Sequence, residues 1–154
     1  MEKSLAQETK TNVKAQNIMI FLNELKLLTK GIVLYANVLP VFAGFLLALY
    51  FTGSSFIEHV DLLIYSMVGS TFVIAGALIF NNWYEVDLDQ EMKRTEKRPT
   101  VTGNIPLNIV LMLGILFTVV GFAFMMLTTI EATVYSLLGW FTYVVLYTFW
   151  TKRR

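Results

Sequence analysis

Charge-free apolar runs divide the chain. Residues 32–51, 62–80, 107–129 and 132–150 contain no Asp, Glu, Lys or Arg. Crossing the hydrocarbon core takes about 20 apolar residues in a helix, and in lipid a helix satisfies every backbone group internally. The runs therefore predict spans at about 32–51, 62–84, 107–129 and 132–150, the second carried helically past Phe80. Tyr50, Trp83, Tyr84, Tyr147 and Trp150 fall near span ends, where aromatic side chains favour the membrane interface. Residues 17–30 follow a different pattern: Ile18, Phe21, Leu22, Leu25 and Leu28 recur at helical spacing, with Asn23, Glu24 and Lys26 elsewhere on the wheel. That predicts a short amphipathic helix lying on the membrane surface.

The expected fold is thus an all-α polytopic membrane protein, with four transmembrane helices behind an N-terminal amphipathic helix. Residues 1–16 are polar and expected to be a disordered tail, and residues 17–154 form one membrane domain. Gly31 is expected to separate the surface helix from the first span. Pro40 should bend that span or open its hydrogen bonding. Gly44, Gly69, Gly76, Gly114 and Gly121 should let helices approach closely.

Composition agrees. The chain has 154 residues, 56% of them hydrophobic, and a mean hydropathy of +0.61, too apolar for an ordinary soluble domain. With no cysteine, disulfides, thiolate metal sites and cysteine nucleophiles are excluded. His59, the single histidine, sits in a short polar loop and is expected to be solvated. The first thirty residues lack the short apolar core and small-residue cleavage site of a secretory signal.

The net charge is only +1, but its distribution orients the chain. All twelve basic residues lie in the N-terminal segment (Lys3, Lys10, Lys14, Lys26, Lys30), the second connection (Lys93, Arg94, Lys97, Arg98) or the C-terminal tip (Lys152, Arg153, Arg154). The connections at 52–61 and around Glu131 have none. The positive-inside rule puts both termini and the 81–106 loop in the cytoplasm. Nothing here suggests a nucleic-acid partner.

Residues 81–99, NNWYEVDLDQEMKRTEKRP, hold the candidate chemistry. On a continued helix Asn81, Glu85 and Asp89 stand at i, i+4 and i+8, one face over two turns. Asn82 lies beside the row, and Asp87 points elsewhere. Oxygen ligands of this kind hold hard divalent cations, and the following Lys93, Arg94 and Arg98 can hold phosphate oxygens. Read from the residues alone, the cluster is either a metal-bound diphosphate site at the bilayer surface or a solvated loop that fixes topology.

The stretch resembles the first polar signature of the UbiA superfamily of intramembrane prenyltransferases, N-D/N-x-x-D-x-x-x-D. More narrowly, Asn81, Asn82, Asp87, Asp89, Met92, Arg94, Thr95, Arg98, Pro99, Val101 and Gly103 resemble the protohaem IX farnesyltransferases, or haem O synthases. Glu85 departs from the general pattern, keeping the carboxylate but reaching one methylene further. The resemblance implies a bundle of about nine spans with two acidic motifs facing one cavity, as sites in helix bundles are built. This chain supplies one motif and corresponds to the N-terminal half, so on its own it is expected to be inactive.

What the resemblance implies can be put residue by residue. Asn82, Glu85 and Asp89 would be catalytic. Asn81, Lys93, Arg94 and Arg98 would bind the substrate diphosphate. Glu85, Asp89 and Asp87 would hold Mg²⁺. The substrates would be farnesyl diphosphate and haem B, the product haem O, and further partners membrane lipids and a separate C-terminal half or haem A synthase. The location would be a bacterial plasma membrane. Two other readings stay open: a UbiA-type prenyltransferase with a quinone, chlorophyll or lipid acceptor, and a non-catalytic four-helix membrane protein. Against a small proton-coupled exporter, no span carries the embedded acid such coupling needs.

Overall fold

The computed structural model describes residues 16–151. The expected tail at 1–16 lies outside these except for Gln16, and so do the basic residues Lys152, Arg153 and Arg154.

The first helix, α1, covers 16–28. Ile18, Met19, Phe21 and Leu22 are left uncovered by the rest of the chain, as suits a helix whose apolar side rests in lipid. The Thr29 hydroxyl donates back to the Leu25 carbonyl at 3.1 Å. The break follows at Lys30, not at Gly31 as the sequence suggested. Lys30 adopts the left-handed conformation, φ 48°, and its carbonyl accepts from Val33 N at 2.7 Å, which starts the next helix.

Helix α2, Gly31–Thr52, runs on through Pro40 and contains no buried residue. A 3₁₀ turn at Ile57–His59 leads into α3, Val60–Tyr84. Two short helices, α4 at Val86–Gln90 and α5 at Pro99–Thr102, shape the long connection. Helix α6 is Leu107–Met125. Helix α7, Ile130–Phe141, starts at Thr129, whose hydroxyl accepts from Ala132 N. It widens into a π-helix over Thr142–Thr151. Among the described residues there is no strand, and four helical segments are long and apolar enough to cross a membrane: Gly31–Thr52, Ile57–Tyr84, Leu107–Met125 and Ile130–Thr151. The protein is an all-α membrane protein.

Helix α3 is the centre of the bundle. Ten of its residues are buried, from Gly69 to Asn82, and none of α2 is. Its main partner is α6, and the two meet backbone to backbone. A Cβ at Gly121 would lie 2.7 Å from Val73 Cγ2 and 3.0 Å from the Gly69 carbonyl. One at Gly76 would lie 2.9 Å from Thr118 N. Lipid removes the hydrophobic drive for helices to associate, so close packing of this kind carries the contact. Gly114 makes ordinary contacts with Ile79 and Phe80, while a Cβ at Gly44 would meet nothing within 4 Å. The expectation of close approach therefore holds along α3–α6 and not at Gly44.

Candidate functional site

The polar mouth forms where α3 ends. Glu85 leaves the helix with φ −97° and ψ 12°, yet its N–H still bonds the Asn81 carbonyl at 3.1 Å. Asp89 N bonds the Glu85 carbonyl at 2.8 Å inside α4. The helix expected to run unbroken past Phe80 is interrupted at Glu85, but the acidic row keeps its spacing through these two bonds. Asn81, Asn82, Glu85 and Asp89 are all buried.

Buried polar groups need partners, and two groups of contacts supply them to Asn81, Glu85 and Asp89. In the first, Asn81 Nδ2 donates to Glu85 Oε1 and, at 3.4 Å, to Thr148 Oγ1. Asn81 Oδ1 accepts from Lys30 Nζ. One carboxamide thus bridges the cation at the start of α2 to the carboxylate at the end of α3. Thr148 reaches this point from the π-helix, its hydroxyl donating to the Tyr143 carbonyl five residues back. Tyr84 and Phe149 meet edge to face, centroids 4.5 Å apart, and fix the last helix beside the mouth.

In the second group Arg98 forms an ion pair with Asp89. The loop before α5 folds back to allow it. Thr95 N bonds the Met92 carbonyl and Arg98 N the Thr95 carbonyl, each at 3.0 Å. The buried Thr95 hydroxyl donates to the Asp89 carbonyl at 2.7 Å. Pro99, whose fixed φ suits the first helical position, then begins α5.

Of the residues singled out from sequence, Asn81, Glu85, Asp89 and Arg98 come together at the mouth. Asp87, Lys93 and Arg94 are exposed. Asn82 turns to another side of α3, where its Nδ2 donates to the Leu28 carbonyl. Lys30 and Thr148 belong to the mouth although the residue spacing did not mark them. Lys30 read only as a topology signal, and the approach of Thr148 depends on the π-helical register. Among the described residues no group of three or more His, Cys, Asp or Glu is arranged to hold a metal.

A cavity of about 280 Å³ lies on the membrane side of the mouth, between α2, α3 and α7. Val33, Asn37, Ser70, Ala77, Trp140 and Tyr143 are among the residues lining it. Val33 follows Lys30 by three positions and Ala77 precedes Asn81 by four, about one helical turn in each case.

Comparison with known proteins gives a consistent picture. Residues 37–154 match the UbiA prenyltransferase family. The protoheme IX farnesyltransferase of Oceanobacillus iheyensis is 47% identical over 139 residues, which is 90% of this chain and 44% of that protein. The protoheme IX farnesyltransferase of Bacillus licheniformis is 40% identical over 153 residues, 99% of this chain and 49% of that protein. Protoheme IX farnesyltransferase 2 of Bacillus subtilis is 45% identical over 130 residues, 84% of this chain and 42% of that protein. The chain therefore spans about half the length of the curated relatives it matches. No solved structure matches.

Proposed function

The chain belongs to the UbiA prenyltransferase family, and from this premise we propose that it serves haem O synthesis, the transfer of a farnesyl group from farnesyl diphosphate to a vinyl group of protohaem IX. The observation that carries the reading is the mouth itself: buried Glu85 joined through Asn81 to Lys30 and buried Asp89 paired with Arg98, above an apolar cavity. The relatives' names supply the acceptor.

The donor set fits Mg²⁺. This ion takes oxygen ligands and is usually bound through one or two carboxylates together with substrate phosphates. Glu85 and Asp89 are two such carboxylates, one turn apart, and the exposed Asp87 is the third candidate. When bound, Mg²⁺ would neutralise negative charge on the diphosphate oxygens.

The residues of the chain do the rest. Lys30, held at Asn81, and Arg98, beside Asp89, flank the place where the diphosphate charge grows as the allylic C–O bond breaks. Preorganised cations at a site of developing charge lower the barrier. Lys93 and Arg94, exposed on the adjoining loop, would meet the diphosphate first. The cavity one turn below takes isoprenoid carbon and keeps the allylic centre from premature reaction with water. The haem vinyl group then attacks that carbon, the new C–C bond replaces the C–O bond, and diphosphate leaves. Water adds at the former vinyl carbon and loses a proton, giving the hydroxyethylfarnesyl side chain.

The setting is a bacterial plasma membrane, with both termini and the mouth on the cytoplasmic side. Membranes carrying this chain together with a separately expressed C-terminal half, supplied with haem B and farnesyl diphosphate and analysed by mass spectrometry, should yield haem O, and membranes carrying the chain alone should yield little or none. A prenylated quinone or lipid in place of haem O would reassign the acceptor. No prenylated product with any acceptor would overturn the reading.

A further inference from the structure

Asn82 follows Asn81 in sequence but makes different contacts. It is fully buried, and its Nδ2 donates to the carbonyl of Leu28, the last residue of α1. Leu28 is itself fully buried and packs with Ile79, Ile105 and Val110. The carboxamide orientation is fixed by chemistry, because the reverse assignment would set two oxygens against each other. The oxygen that a cation would need, Oδ1, is buried without a partner among the described residues. The bonding end of Asn82 is thus committed to the α1–α3 junction.

The neighbouring carboxamide completes the junction. Asn81 Oδ1 accepts from Lys30 Nζ, so two consecutive residues of α3 hold the two ends of the turn between α1 and α2. Lys30 has φ 48° there, a conformation uncommon for a residue with a Cβ and one that persists where its surroundings fix it. A lysine head on a flexible four-carbon stem is otherwise a poorly placed charge.

We propose that Asn82 is a positioning residue and not a ligand: it fastens the end of α1 to α3, and so holds Lys30 in the left-handed turn from which its ammonium meets Asn81 and the phosphate oxygens of an allylic diphosphate. The last clause rests on the diphosphate reading above, whereas the fastening of α1 stands on the structure alone.

Asn82→Asp separates the two roles. It is nearly isosteric, keeps oxygen donors and adds charge, which would favour a metal ligand, but it removes the N–H that Leu28 accepts. The chain has no native cysteine. Spin labels attached after the substitutions Met19→Cys and Ile57→Cys, both at exposed positions, therefore report the distance between α1 and the turn that leads into α3 in nanodiscs. Calorimetry with Mg²⁺ and inorganic diphosphate reports binding in the same samples.

Asn82→Asp should broaden the label distances and weaken diphosphate binding about tenfold, the scale of one lost charged contact. Lys30→Gln should weaken binding equally, and adding Asn82→Asp to it should cost no more. Glu85→Gln should weaken Mg²⁺ binding while leaving the label distances narrow. If Asn82→Asp is recovered unfolded, Asn82→Ser, too short to reach the Leu28 carbonyl, carries the same expectations. Unchanged label distances, or tighter Mg²⁺ binding by Asn82→Asp, would overturn the proposal. Label distances that broaden with Asn82→Asp, when the labelled protein with Asn82 intact binds no diphosphate, would overturn the diphosphate reading and the delivery of Lys30, and would uphold the fastening of α1.

Discussion

Arg98 and Asp89 pair across nine residues of sequence, with side chains 12% and 4% exposed. Such a pair gains little over an apolar substitute, but removing one partner leaves a buried charge uncompensated, at about 3–5 kcal/mol. Arg98→Leu or Asp89→Leu alone should therefore lower stability by about that amount. The double Leu variant should recover much of the loss, while diphosphate binding stays abolished. Thermal unfolding in detergent, beside binding of inorganic diphosphate, measures both.

Turnover should depend on charge at the mouth and not on charge elsewhere. In a haem O assay of membranes that also supply the C-terminal half, Asp89→Ala and Glu85→Gln should each lose a hundredfold or more in rate, roughly 2.7 kcal/mol of transition-state stabilisation. Their Mg²⁺ dependence should weaken as well. Glu85→Gln keeps the oxygen that accepts from Asn81, so its loss would reflect charge and not packing. Asp61→Ala, exposed at the start of α3, should match wild type. Equal rates for Asp89→Ala and wild type at equal expression would reduce the carboxylate row to a structural feature.

The glycines predict a contrast in stability. At Gly121 a Cβ would lie 2.5 Å from the Val73 backbone nitrogen and 3.0 Å from the Gly69 carbonyl, so backbone must shift to admit a side chain. Gly121→Val should destabilise the bundle by about 1–3 kcal/mol, the usual scale of overpacking. Gly44→Val meets open space and should fall within about 0.5 kcal/mol of wild type, as surface substitutions do. Unfolding in mixed micelles ranks the two.

Topology can be read with reporters. Fusions after Arg154 and beside His59 should give opposite signals, the first cytoplasmic, since the basic residues avoid the 52–61 connection and such asymmetry orients a membrane protein. Cytoplasmic signal at both positions would overturn the four-span arrangement.

The spans were legible because lipid imposes one rule on a whole run of residues: no charge, and a backbone that satisfies itself. The acidic row was legible because carboxylates at helical spacing are costly at a membrane edge. What stayed hidden depends on tertiary contact. Lys30 reads as one more basic residue until its left-handed backbone carries it to Asn81. Arg98 reads as a phosphate ligand until the Thr95 hydroxyl folds the loop back and seats it on Asp89. Asn82 looks equivalent to Asn81, yet adjacent positions on a helix stand about 100° apart, and that rotation turns one to the mouth and the other to α1. Thr148 carries no signal at all, because a regular α-helical register would not bring it to the same place.

The glycine seam between α3 and α6 also governs how force spreads through the molecule. Where Gly76 and Gly121 bring the two backbones together there is little side-chain layer to shear, so a shift of α3 along its axis should take α6 with it. Anything that pulls on Asn81 or Glu85 at the mouth therefore loads two membrane helices together. Helix α2, which contributes no buried residue, should yield before they do.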